Sequence, residues 1–154
     1  MWKNLVTTAY NERRRFRAPC FPRFGPSAMP EDLARAASAL KTTFPEELKA
    51  LLTECNGVTE VMAIDGQPVE TSWLIWTLEE IVRWQSEPGR ADPGPPSSWL
   101  VFANAGADGI VFGYDRALSG DGIWAWYPNE QRGENVAPSL SSFLRGWITG
   151  KVTV

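Results

Sequence analysis

The chain has 154 residues, enough for one domain with a single core and too few for two of ordinary size. Hydrophobic residues make up 44% and charged residues 21%, a globular mix that excludes disorder of the whole chain; no apolar run reaches the ~20 residues of a bilayer-spanning helix, and two cysteines without a CxxC exclude a disulfide framework. The net charge of −3 is unevenly spread: residues 1–25 carry six Lys/Arg and one Glu, residues 26–154 nine Lys/Arg and seventeen Asp/Glu, so an acidic body follows a basic start.

The first helical candidate is residues 2–16, where Trp2, Leu5, Val6, Ala9 and Tyr10 fall at helical spacing. Arg13, Arg14, Arg15, Phe16 and Arg17 follow, and Pro19, Pro22 and Pro26 forbid a regular helix beyond them. Such an Arg–Phe stretch suits an arm that contacts nucleic acid or membrane. It equally suits a linker whose aromatics pack on the domain and whose arginines meet its acidic surface. The rest of the chain carries no nucleic-acid signal, which favours the linker. The expected organisation is a basic, aromatic arm over residues 1–26 and one domain over residues 27–154.

Pro30 opens a helix with Leu33, Ala36, Ala37 and Leu40 on one face and Glu31 and Asp32 in its first turn, where the helix dipole favours acids. The next helix starts at Pro45 and buries Leu48, Leu51, Leu52 and Cys55. It is expected to stop at Asn56-Gly57, because Gly readily takes the left-handed C-cap conformation. Cys55 is then a small apolar filler and not a nucleophile. Short β-rich pieces follow at 61–64, running into the turn Asp65-Gly66, and at 72–76. Thr77-Leu78-Glu79-Glu80 is a capping box that starts a short helix burying Leu78, Ile81 and Val82. That position accounts for the adjacent Glu79 and Glu80 better than acid–base chemistry does, since neighbouring helical residues point in different directions.

Residues 86–98 hold four prolines and two glycines and form a surface loop. Strands at 99–104, 110–114 and 123–127 come next, joined by Gly- and Asp-bearing turns that favour an antiparallel meander, with an edge piece near 135–137. Ser139 caps a closing helix whose Leu140, Phe143, Leu144, Trp147 and Ile148 form a broad apolar stripe. N-terminal helices, a mostly antiparallel sheet of about five or six strands, one inserted helix and a closing helix define an α+β fold.

There is no histidine. Ser-His-Asp and Cys-His triads, HExxH zinc sites and the His-bearing deaminase signature are therefore excluded. No GxxxxGK[ST] or GxGxxG cradles a phosphate, no DxDxDG supplies calcium oxygens, and Cys20 and Cys55 without His cannot make a four-ligand zinc site. Asp108, Asp115 and Asp121 could converge as glycosidase-like carboxylates, but their places in turns and at strand ends read as turn chemistry. No catalytic residue, metal ligand or cofactor is assigned.

Several stretches together resemble one family. The helix Phe44-Pro45-Glu46-Glu47-Leu48 through Leu51-Leu52 to Asn56-Gly57 is similar to the "LP…NG" helix of the SUKH superfamily, which contains yeast cell-wall-synthesis regulators and many bacterial immunity proteins. Trp76-Thr77-Leu78-Glu79-Glu80-Ile81 looks like its strand followed by an "L-x-E-[IV]" helix. Leu100 to Asp115, enclosing Ala105-Gly106-Ala107-Asp108-Gly109, is similar to its Gly-rich hairpin, Ile123-Trp124-Ala125-Trp126 to its next strand, and Ala137-Pro138-Ser139-Leu140 to Phe143-Leu144 to its closing helix. The chain departs from the pattern at Ala37-Ser38-Ala39, where a Glu is frequent, at Gly106-Ala107, where a double Gly is usual, and at Leu140, where Phe is usual.

The resemblance implies a SUKH-like α+β fold and a non-catalytic binding protein; residues Met1 to Thr7, without a signal peptide's apolar stretch, and the two isolated cysteines lead to the expectation of a cytoplasmic location. Its partner would be another protein, with neither nucleic acid nor membrane bound directly. An immunity protein that blocks a polymorphic toxin is the favoured expectation, a basic nuclease being the toxin an acidic body would suit. A regulatory or scaffold module of the same fold is the alternative, and an enzyme the remote one. Expected contact residues lie around the late strands: Asp108, Asp115, Asp121, Trp124, Trp126, Tyr127 and Glu130, chosen as acids and aromatic anchors. Strand alternation sends adjacent side chains to opposite faces, so exposure and burial must alternate among them.

Overall fold

The structure, a computed structural model, describes residues 1–13, 19–87 and 93–154. The elements run α1 (Trp2–Arg13), β1 (Cys20–Phe24), α2 (Pro30–Leu40), α3 (Glu46–Glu54), β2 (Val58–Ile64), β3 (Gln67–Ile75), α4 (Leu78–Ser86), β4 (Trp99–Asn104), β5 (Val111–Asp115), β6 (Ile123–Tyr127), β7 (Arg132–Ala137) and α5 (Leu140–Thr149). The strands form two antiparallel sheets, β1-β2-β3 and β4-β5-β6-β7. The sheets meet where the Trp76 N–H donates to the Phe102 carbonyl at 2.9 Å. This is the α+β architecture expected. One strand beyond expectation is β1, which forms in the Pro-bearing stretch read as linker. It is an edge strand, and an edge is where Pro22, lacking an N–H, does least harm to the ladder.

Helix α1 and strand β1 share the core of the rest of the chain. Trp2, Val6, Ala9 and Tyr10 of α1 are buried in the same apolar cluster as α3, α5 and both sheets, and α1 packs on α5. β1 pairs along β2 from Cys20 opposite Met62 to Phe24 opposite Val58. Two arginines of the basic stretch meet acids of the body: Arg13 pairs with Glu60 at 2.6 Å and Arg23 with Glu70 at 2.7 Å. The remainder of that stretch, residues 14–18, and residues 88–92 of the Pro-rich loop lie outside the described residues.

The helix spacings translate directly into burial. Leu48, Leu51, Leu52 and Cys55 are fully buried, as are Leu140, Phe143 and Leu144. α5 lies across the second sheet, with the Phe143 ring 4.7 Å from Phe112 and 5.8 Å from Phe102, and Trp147 5.0 Å from Phe112. Each such side chain withdrawn from water contributes about 1.5–3 kcal/mol before entropy is counted.

Helix α3 also organises the ends of three other helices. Its Glu54 carboxylate accepts the N–H groups of Trp2 and Lys3 at 2.9 and 3.0 Å, capping α1. Its Glu47 accepts those of Leu140 and Ser141, capping α5 beside Ser139. Asn56, just past its end, accepts the Leu78 N–H at 2.7 Å, capping α4 beside Thr77. Asn56-Gly57 therefore differs from its expected role. The C-cap is Cys55 in extended conformation, and the left-handed residue is Gly57, at φ +95, two positions later. The physical reason is that the chain turns straight into β2, freeing the Asn56 amide to serve α4.

Candidate functional site

A groove of about 950 Å³ opens between the end of β3, helix α4 and the β4–β5 turn. Its aromatic wall is Trp73, Trp76 and Trp84. Trp76 is buried and lies 6.0 Å from Trp84, ring to ring, while Trp73 is 42% exposed. The opposite wall is the turn Gly106–Ile110 with Asn104, and Pro128 and Asn129 of the β6–β7 turn close one end.

Local sequence builds each wall. Thr77 and Asn56 start α4 immediately after β3, so Trp76 and Trp84 sit on one strand–helix corner. Trp73 rests against Gly57: a Cβ there would stand 3.1 Å from its Cζ3 atom, tighter than an ordinary contact. The turn is pinned by the Asn104 Oδ1 atom, which accepts the Gly106 N–H at 3.0 Å, and by hydrogen bonds from the Ala105 N–H to the Ile110 carbonyl and from the Ile110 N–H to the Ala107 carbonyl. Asp108 occupies the left-handed region at φ +56, which Asp tolerates better than most residues, and its side chain stands exposed at the groove. Glu80 and Arg83 form an ion pair across one turn of α4 on the other side.

The seven contact residues expected from sequence do not form one patch. Asp108 lines the groove, and Glu130 is exposed in the β6–β7 turn at the same end of the sheet. Asp115 and Asp121 lie at the opposite end, separated by the five residues of β5 at about 3.3 Å each. Asp115 accepts from the Ser98 hydroxyl at 2.9 Å and the Ala117 N–H at 3.0 Å, which makes it a turn former. Trp124 and Trp126 both pack on Trp99, at 6.4 and 5.9 Å, because positions two apart on a strand share a face. Trp126 is buried, its indole N–H donating to the Pro93 carbonyl at 2.9 Å, whereas Trp124 is half-buried. Tyr127 carries the Arg132 guanidinium 4.5 Å over its ring, and burial, with Glu134 acting in the same sense, pushes its phenol pKa up.

Sequence reading missed Trp73 and Trp84. They lie on different elements with no shared periodicity, and only the strand–helix corner brings them together. Among the described residues, no three of His, Cys, Asp or Glu gather where they could hold a metal ion.

Helices before, between and after two antiparallel sheets, with an aromatic groove between β3, α4 and the β4–β5 turn, make up an α+β domain. The chain belongs to the SMI1/KNR4 family (SUKH-1), whose model matches residues 27–146. Members of this family are generally non-catalytic binding modules, of immunity type or like SMI1/KNR4. The match begins after β1, so α1 and β1 lie outside it. A search of curated proteins found no match to the chain.

Proposed function

We propose that this chain is an immunity protein that neutralises a toxin domain by binding it directly, and that the groove beside α4 is the centre of the binding surface. The observation that carries the reading is the groove itself, where aromatic anchors and a carboxylate face outward on a domain of a binding family. Tryptophan is among the residues that most often dominate interface energetics. The acidic body supports a basic partner, since many nuclease toxins carry positive charge to grip phosphates. Asp108 and Glu130 stand at the groove end of the sheet and belong to the proposed surface, and Tyr127 ends β6 on that side, next to Pro128 of the groove.

Co-expression with each toxin encoded beside the gene tests the proposal. Restored growth against one of them is the expected result, and failure against every one overturns it. The family match itself favours a second reading, a regulatory or scaffold module with no toxin partner. Purification of the chain from its native host, with partners identified by mass spectrometry, separates the two.

A further inference from the structure

We infer that the groove receives a cationic side chain, a guanidinium or ammonium presented by a basic segment of the protein partner, between the Trp73 and Trp84 rings and the Asp108 carboxylate. The inference rests on the groove being the partner-binding surface and adds the chemistry of what enters it.

Three observations lead there. Of the eight tryptophans, Trp73 is the one left exposed. Its ring is held against the Gly57 backbone, so it presents a positioned aromatic surface to the groove. The indole face carries the negative end of the ring quadrupole and is the best of the natural aromatic partners for a cation. Second, the Asp108 carboxylate has no hydrogen bond or ion pair with the described residues, although the turn that carries it is fixed by three hydrogen bonds. An unengaged carboxylate on a fixed turn, across the groove from aromatic rings, is complementary to a cation and repels an anion. Third, among the described residues the ionisable side chains lining the groove are Glu80, Asp108 and Arg83, and Arg83 pairs with Glu80. Asp108 thus adds to the acidic balance of residues 26–154, and a basic segment would be steered toward this face and then held. Nucleic acid is disfavoured by the same charges.

The test is titration of the full chain with capped peptides of equal length in which Gly alternates with Arg, Lys, Gln or Glu. Intrinsic tryptophan fluorescence and the indole N–H resonances report binding. The Arg peptide is expected to shift the Trp73 and Trp84 signals, the Lys peptide to do so more weakly, and the Gln and Glu peptides to leave them unmoved. D108N keeps the left-handed backbone, because Asn tolerates that region, and W73L keeps an apolar residue at an exposed site. Each is expected to weaken the Arg peptide about fivefold while circular dichroism stays unchanged, the scale of a single cation–π contact or exposed charge pair. Equal binding of the Gln peptide, shifts confined to other tryptophans, no response to the Arg peptide, or unchanged affinity in both variants would each overturn the inference. Growth rescue is scored separately. Rescue by wild type without peptide selectivity removes the cation and keeps the toxin reading; selectivity without any rescue does the reverse.

Discussion

The Glu47 carboxylate accepts the Leu140 N–H at 2.7 Å across 93 residues of chain, and its other oxygen accepts the Ser141 hydroxyl at 3.0 Å. Helix α5, which covers the second sheet, therefore begins on an acid supplied by α3 as well as on its own Ser139. A negative group at this end also meets the positive end of the helix dipole. Glu47→Ala should cost about 1–3 kcal/mol, because it strips partly buried N–H groups of a charged acceptor. Ser139→Ala should cost about 1 kcal/mol. Urea unfolding of both variants checks the order; a smaller loss for Glu47→Ala contradicts it.

Asn56 and Gly57 join α3 to α4 and seat Trp73. Asn56→Ala removes the acceptor of the Leu78 N–H and the donor to Glu79, and should cost about 1–2 kcal/mol. Gly57→Ala combines a positive φ with a Cβ 3.0–3.1 Å from Thr77 and Trp73, and should cost at least as much. The variant should also change the Trp73 fluorescence, because the ring must yield. An unchanged emission spectrum in a folded Gly57→Ala protein would mean that Trp73 does not rest there.

Hydrogen bonds from the backbone N–H groups of Lys3 and Trp2 hold Glu54 at a pKa of about 2, well below its usual 4.5. A depressed carboxylate stabilises the fold above its unfolded pKa, and that contribution disappears as pH falls through the folded value. Glu54→Gln should therefore be less stable than wild type near neutrality. The gap between them should close as pH drops from about 4.5 toward about 2. Denaturant midpoints across that window test the sign.

Two buried tyrosines make opposite predictions. Tyr10 donates to Glu60 at 2.8 Å beside Arg13, whereas the Tyr114 hydroxyl is buried without a partner among the described residues. Tyr10→Phe should cost about 1–3 kcal/mol, and Tyr114→Phe should be neutral or stabilising. Burial, above all, raises both phenol pKa values far beyond 10. A raised phenol stabilises the fold below its unfolded pKa, so stability should fall as pH rises above about 10. Phenolate absorbance from these two residues should then appear together with loss of circular dichroism, and not before it.

Cys20 and Cys55 are buried thiols, and burial pushes Cys55 up to about 11 and Cys20 upward as well. Neither should react with a thiol reagent in the native protein near neutral pH, and both should react in denaturant. Rapid native labelling of either would show that its cover opens.

What sequence alone determined here is what short-range periodicity encodes. Leu48, Leu51 and Leu52, or Phe143 and Leu144, announce a buried helix face because spacing on a helix is fixed by geometry. The order of motifs from Pro45 to Leu144 likewise carried the family, which the match over residues 27–146 shows. Tertiary structure decided the rest. It drew α1 and β1 into the core, turned Asn56 from a helix stop into a cap for α4, and placed Asp115 and Asp121 at the far end of the sheet from Asp108. It also gathered Trp73, Trp84 and Asp108 from three elements into one groove. Contacts of that kind depend on how elements cross in space, and no local repeat in the chain records the crossing.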